Sequence, residues 1–315
     1  MKCSTLPDMG KKDGIAIVLA LMVLGLVTAT VLSTATLSSK DAELATRFEE
    51  KAKSRYLADA GIKAAIIALK EDRNMNEYDT LDEIWSRPSP PISFGEGNAE
   101  VVVVDEERRI NMNSLILPNG ISENVKMVAI FDALLERLEL DISLTDAILD
   151  WLDADDTPRI GGAETSYYQT REPAFGAKND LFDSVYELKL VRGVDEKVFR
   201  ALYPYVTVHG SGKININTAP DTILICLARG EDPEFESLID RSAVEEIMEY
   251  RLENPFEKAE DLSKVSSSLE ELYKQTRIRD VITAGSTVFS VSVKGSIDDT
   301  NVRMESKLLR EGKKV

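Results

Sequence analysis

Residues 15–39 form a run of 25 residues without one charged side chain. At 1.5 Å per residue, about 20 helical residues cross a hydrocarbon core of roughly 30 Å. Every later stretch carries too many charges to do the same. The chain is therefore expected to have one membrane segment near its start, with residues 40–315 on one side.

Lys2, Lys11 and Lys12 precede the run. Three readings compete for it. A secretory signal peptide has an apolar core of about 7–15 residues and a small-residue cleavage site, and this run is too long and lacks such a site. A plain signal anchor fits. So does a prepilin-type signal, which Lys11-Lys12-Asp13-Gly14 followed by Ile15-Ala16-Ile17-Val18-Leu19 resembles. That resemblance implies cleavage after Gly14 by a prepilin peptidase, leaving Ile15 first. Pilin-like chains carry Glu at the fifth mature position, where this chain has Leu19. A carboxylate in lipid is costly, and in pilins it pairs with the amine of a neighbouring subunit. A subunit without it suits the end of a filament. The flanking lysines place the N-terminus in the cytoplasm and the bulk of the chain outside.

Net charge is −17. Such a surface repels nucleic acid and favours cations or basic partners. Cys3 falls in the leader, and Cys226 sits in the apolar run Ile223-Leu224-Ile225-Cys226-Leu227, where it reads as a small buried hydrophobe. The single histidine, His209, lies in a Gly/Ser loop, which argues against His-based catalysis and multi-His metal sites.

Residues 40–70 continue the helical pattern, with Leu44, Phe48, Ala52, Tyr56, Ala60, Ala64 and Ile67 on one face. This predicts one long helix, half in the membrane and half packed on a domain through that face. A break at Gly61 is the alternative. Residues 99–104 and 109–113 flank a Glu-rich turn and read as a hairpin, and residues 287–295 and 301–309 read as a second around Asp298-Asp299. Between these hairpins the chain reads as helical. Arg109-Ile110-Asn111-Met112-Asn113-Ser114 is echoed by Lys213-Ile214-Asn215-Ile216-Asn217-Thr218. Each is expected to be a short strand, the pair lining one sheet, with Ser114 and Thr218 capping following helices. The fold class is α+β: a long N-terminal helix plus antiparallel sheet, with a large inserted α-helical domain. The expected divisions are a leader at 1–14, a membrane half-helix at 15–39, a first part of the α/β domain at 40–113, the insertion at 114–206 and a second part at 207–315.

The densest chemistry is Asp150-Trp151-Leu152-Asp153-Ala154-Asp155-Asp156-Thr157-Pro158-Arg159-Ile160-Gly161-Gly162-Ala163-Glu164. Asp153, Asp155, Thr157 and Glu164 imitate calcium-loop spacing, but Pro158 stands where an EF-hand needs Gly. A hard-cation site of other geometry remains, and oxygen-only ligands favour calcium over zinc. A solvated acidic turn is the plainer alternative. The carboxylates also suggest acid–base work, yet no nucleophile or oxyanion donors accompany them, so no enzyme is expected. Two helix–hairpin–helix patterns follow, at residues 185–202 and 243–262. Their surroundings are acidic, so helix packing or protein contact fits better than DNA.

These pieces together resemble the minor pseudopilin K family of the type II secretion system. The residues that carry the resemblance are Gly14-Ile15 with Leu19, the acidic motif, Gly162-Ala163-Glu164 with Tyr167-Tyr168, residues 188–193, Tyr203-Pro204-Tyr205-Val206-Thr207 and residues 214–220. The resemblance implies a pilin-like fold, a single-pass inner-membrane anchor and a periplasmic domain. It implies a calcium ion held by Asp153, Asp155, Asp156 and Glu164, with Thr157 and Asp150 beside them. The implied partners are minor pseudopilins I and J, other pseudopilus subunits, prepilin peptidase and the lipid bilayer. The implied role is to initiate and cap the filament at its tip during export of folded proteins. The competing reading is a membrane-anchored helix–hairpin–helix protein, such as a DNA-uptake component.

Overall fold

The computed structural model describes residues 12–87, 90–227, 241–275, 278–312 and 314–315. Most of the expected leader therefore lies outside the described residues. One uninterrupted helix, α1 (Lys12–Met75), includes the uncharged run and passes through Gly61 without a break. At 1.5 Å per residue its 64 residues span about 95 Å. Its first part is unburied among the described residues and is long and apolar enough to cross a membrane.

A sheet follows in the order β1 (Ile92–Phe94), β2 (Gly97–Asp105), β7 (Val288–Ile297) and β8 (Thr300–Leu309), all antiparallel. The β7–β8 hairpin is as expected, with Ile297 paired to Thr300 across Asp298-Asp299. Along β7, buried Phe289, Val291, Val293 and Ile297 alternate with half-buried Ser290, Ser292 and Lys294, giving the sheet one apolar face. Helix α1 lies on that face. The approach is close: a Cβ on Gly295 would stand 2.1 Å from the carbonyl oxygen of Ser54.

This seat corrects the expected packing face of α1. Ser54, Leu57, Ala58, Gly61, Ala65 and Leu69 face the sheet, while Leu44, Phe48, Tyr56 and Ile67 of the predicted stripe are exposed. Close to Gly295 the docking side is small, at Ser54 and Ala58, while Leu57 and Leu69 are its large buried residues.

The first hairpin is also corrected. Strand β2 pairs with β1 and β7. After a 3-10 turn (Glu106–Arg108), β3 (Ile110–Asn111) leaves the sheet and pairs in parallel with β4 (Val206–Thr207). Between β3 and β4 lie a 3-10 turn (Met112–Leu115), α2 (Val125–Arg137), α3 (Leu144–Leu152), α4 (Thr165–Tyr168), a 3-10 turn (Val185–Leu190) and α5 (Glu196–Leu202). A second unit runs from β5 (Ile214–Asn215) to its parallel partner β6 (Ile282–Thr283). Among its described residues are α6 (Asp221–Cys226), α7 (Arg241–Glu253), a 3-10 turn (Ala259–Lys264), α8 (Ser267–Gln275) and α9 (Ile278–Val281).

The echo in the sequence is a repeat of hydrogen bonding, and not one shared sheet. Asn113 Oδ1 accepts from Phe182 N at 2.8 Å, and its Nδ2 donates to Phe182 O and Val208 O. Asn217 makes the same bonds: its Oδ1 accepts from Phe256 N at 2.9 Å and its Nδ2 donates to Phe256 O and Ala284 O. Glu187 then accepts from the backbone of Asp183 and Ser184, and Asp261 from that of Glu257 and Lys258. The segment equivalent to residues 185–202 thus begins at Ala259, so α7 belongs to the preceding helices and not to the second hairpin. Ser114 and Thr218 do not cap helices: Asn124 caps α2, Pro220 precedes α6, and Thr218 instead donates to Asp105. Cys226 is buried, as its apolar neighbours predict.

The Glu-rich turn is buried. It is where both helical units meet the sheet. Asp105 accepts from Asn215 Nδ2, Ser286 Oγ and Thr218 Oγ1. Glu106 accepts from Lys307 Nζ at 2.8 Å and from the hydroxyls of Thr207 and Ser290. Glu107 accepts from Ser211 N and Thr287 Oγ1. Burial, ahead of Glu107's charge, pushes Asp105 up to about 7 despite these donors.

Candidate functional site

Helix α3 buries Leu144, Ala147, Ile148, Leu149, Trp151 and Leu152 in the core of the helical units. This amphipathic face turns Asp150 inward as well, so its carboxylate is fully buried. The helix ends at Asp153, whose N–H donates to Leu149 O at 2.9 Å. The chain returns at Glu164, which precedes α4. Trp151 stands edge-on to Tyr168 at 5.2 Å between centroids, and Tyr168 stacks on Phe175 at 5.1 Å, tying the two ends of the loop together. Gly162 is required for closure, since a Cβ there would lie 1.9 Å from Asp150 Oδ2.

One carboxylate oxygen from each of Asp153, Asp155 and Glu164 falls within 4.8 Å of the other two. Asp150 and Asp153 are both held by Arg159, with Nη1 2.7 Å from Asp150 Oδ1, and Arg159 N donates to Asp150 Oδ2 at 3.1 Å. Asp156 is exposed and accepts from Asn179 Nδ2 at 3.3 Å. Thr157 is exposed, and its N–H donates to Asp155 Oδ1 at 2.7 Å. The structure thus brings Asp153, Asp155 and Glu164 together, sets Asp150 behind them on Arg159, and leaves Asp156 and Thr157 on the rim.

Glu164 is the exceptional member. It is 2 % exposed. Both of its carboxylate oxygens are shielded from solvent and have no hydrogen-bond partner among the described residues. Burial, then the charges of Asp150, Asp153, Asp156 and Asp155, push it up to about 8. A buried anion without a counter-charge costs several kcal/mol, and Arg159 is spent on Asp150 and Asp153. Asn179 adds an oxygen that sequence spacing did not suggest. Its Nδ2 donates to Asp155 O at 2.7 Å, and its buried Oδ1 has no partner among the described residues. Oxygen donors, excess negative charge and unfilled acceptors fit a hard divalent cation.

At the processing end, Gly14, Ile15 and Leu19 lie within α1, with Ile15 and Leu19 exposed. Leu19 is exposed among the described residues.

Residues 108–211 match the family model for the type II secretion system protein K. The chain is 32% identical to the type II secretion system protein K of Pseudomonas aeruginosa over 51% of this chain and 50% of that protein. It is 24% identical to the protein of the same name from Dickeya chrysanthemi over 97% of this chain and 95% of the relative. Among solved structures, one from the GspK-GspI-GspJ complex of the enterotoxigenic Escherichia coli type 2 secretion system superposes with a TM-score of 0.66 at 20% identity, covering 84% of this chain and 93% of that one. That likeness bears on the fold: long helix, antiparallel sheet and helical units recur together.

Proposed function

We propose, from the premise that this chain belongs to the type II secretion system protein K family and is a minor pseudopilin of that system, that it stands at the tip of the pseudopilus with minor pseudopilins I and J. Proteins of this family are structural components of secretion. The observation that carries the tip reading is the division of α1. One side is seated on the sheet, while Leu44 and Phe48, before the sheet begins, and Tyr56 and Ile67, turned away from it, are exposed to solvent beyond the membrane segment. An apolar stripe continuous with a membrane helix suits neighbours whose own N-terminal helices rise from the same bilayer. The relative of similar fold was solved with I and J proteins, and those are the partners proposed here. The two helical units make the domain far bulkier than helix and sheet alone, and a subunit stacked above would meet them.

Several finer assignments belong to the same proposal. The N-terminus lies in the cytoplasm and the domain in the periplasm, anchored in the inner membrane. Prepilin peptidase cuts between Gly14 and Ile15, which N-terminal sequencing of the membrane-extracted protein checks. Leu19 marks the end of the filament: Leu19→Glu is expected to reduce secretion, and unchanged secretion removes that role. The acidic loop holds calcium through Asp153, Asp155 and Glu164, with Asp150, Asp156 and Thr157 around them. The cation would supply charge neutralisation and hold the loop to α3.

The test of the function is assembly. Mixed with soluble I and J pseudopilins, the periplasmic part of this chain should elute as a single ternary complex. Tyr56→Asp and Ile67→Asp should abolish it without lowering thermal stability. Separate elution of the wild-type proteins contradicts the proposal. The DNA-uptake reading predicts DNA binding at moderate salt instead, which a charge of −17 opposes.

A further inference from the structure

We infer that a second hard divalent cation is held where α1 ends, by the carboxylates of Asp72, Asp79 and Glu83 together with the amide oxygen of Asn76. Asp72 lies in the last turn of α1, and Asn76, Asp79 and Glu83 follow in the turns beyond it. One carboxylate oxygen from each of the three acids lies within 4.8 Å of the other two. Two oxygens bound to one calcium at 2.3–2.6 Å stand at most about 5 Å apart, so this spread needs little rearrangement.

The polar contacts around the cluster leave specific vacancies on the protein side. Glu83 Oε2 accepts from Thr80 N at 3.0 Å and from Trp85 Nε1 at 2.6 Å, and its Oε1 accepts from Asn76 Nδ2 at 3.3 Å. Asp79 Oδ2 accepts from Ser286 N at 2.7 Å and from Arg310 Nη2. Arg310 Nη1 stands 3.4 Å from Asp72 Oδ2. Asp79 is fully buried, yet its Oδ1 has no partner among the described residues, and neither has the shielded Oδ1 of Asn76. Three carboxylates against Arg310 leave negative charge in excess, which Arg73, whose charge also reaches Asp79, offsets only in part. Protonation would have to neutralise the carboxyls one by one, whereas a single dication lowers the charge of all three and can meet both orphan oxygens. A dication answers both needs. Arg310, stacked on Phe289 at 4.7 Å, follows β8 directly. The cation would therefore fasten the end of α1 to the C-terminal strand and, through Ser286, to the second helical unit. The inference is independent of the pseudopilin reading.

The chain has two tryptophans, and each abuts one cluster: Trp85 bonds Glu83, and Trp151 sits between Asp150 and Asp153. Terbium(III) emission excited through a nearby indole therefore reports the sites separately. In the detergent-solubilised full chain carrying Trp151→Phe and Glu164→Gln, indole-sensitised emission should persist, and calcium should compete it away. Adding Asp79→Asn should weaken terbium binding at least tenfold. Should that variant fail to fold by circular dichroism, Glu83→Gln replaces it. Gln keeps an oxygen for Trp85 Nε1, and the same tenfold loss is expected. Absent emission, emission that calcium does not displace, or emission unchanged by a folded Asp79→Asn or Glu83→Gln chain overturns the site.

Discussion

Two sets of buried acids in this molecule have opposite surroundings. Asp105, Glu106 and Glu107 meet donors from both helical units and the sheet, namely Asn215, Thr218, Ser286, Thr207, Ser290, Lys307, Ser211 and Thr287. Glu164 is equally buried, yet both its oxygens lack a partner among the described residues. The first set is complete as the protein stands and acts as a clamp. The second has acceptors that the described residues leave unfilled, which is why a cation is proposed there. Burial alone does not separate structural acids from ligand-binding ones, whereas the account of their acceptors does.

That contrast can be broken at either end. The largest effect is expected at the clamp. Asp105→Ala strands three buried donors, the hydroxyls of Thr218 and Ser286 and the N–H of Glu107, at roughly 1 kcal/mol or more each, so at pH 6 melting should fall by about 6–12 °C, with or without calcium. Next comes the cation. At a calcium concentration of about 100 Kd the native state gains about 2.7 kcal/mol, and melting should rise by roughly 5–10 °C, reversed by chelator. A smaller effect of opposite sense isolates Glu164. Glu164→Gln should remove the part of the calcium shift that the acidic loop contributes and stabilise the metal-free protein by about 1 kcal/mol, because a neutral amide needs neither a buried charge nor the uptake of a proton. A denaturant titration with and without chelator reads both.

The smallest effect concerns pH. Asp105 is pushed up to about 7, above its ordinary value of 3.8. The native state therefore holds this proton more tightly than the unfolded chain. The resulting stability is full below about pH 4 and is lost as pH rises through about 7. With calcium present, so that Glu164 does not contribute, the urea midpoint of the wild type should fall between pH 5 and 8. Asp105→Asn should flatten that slope. Equal slopes would mean that the clamp does not carry the proton.

Much of this was legible in the residues, and the misses share a cause. The uncharged run and the helical pattern beyond it gave α1 as one continuous helix, though a shorter one than the 64 residues observed, and period-two alternation gave the β7–β8 hairpin. The seat of α1 was missed because Phe48, Tyr56 and Ile67 look like core, whereas the docking side is made of Ser54, Ala58, Gly61 and Ala65. Ser54 and Ala58 are small where α1 meets Gly295, and Gly61 where it meets Val101 and Val293, all distant in sequence. The Glu-rich turn resembled a solvated hairpin tip because its donors come from more than 100 residues away, as in Ser211 to Glu107 and Thr218 to Asp105. The acidic loop was readable from local spacing. Asn179 was not, since no spacing rule reaches it. The repeat around Asn113 and Asn217 gave a sequence signal, but the Phe182 and Phe256 backbones it clamps are found only in space.

The central claim is that the loop from Asp150 to Glu164 is built around a cation the protein does not supply. Calorimetric titration of the metal-free chain with calcium, in parallel with Glu164→Gln, tests it most directly. Saturable binding to the wild type, of which one site is lost or weakened at least tenfold in the variant, is the predicted result. Absence of binding to the wild type, or identical isotherms for both proteins, would contradict it.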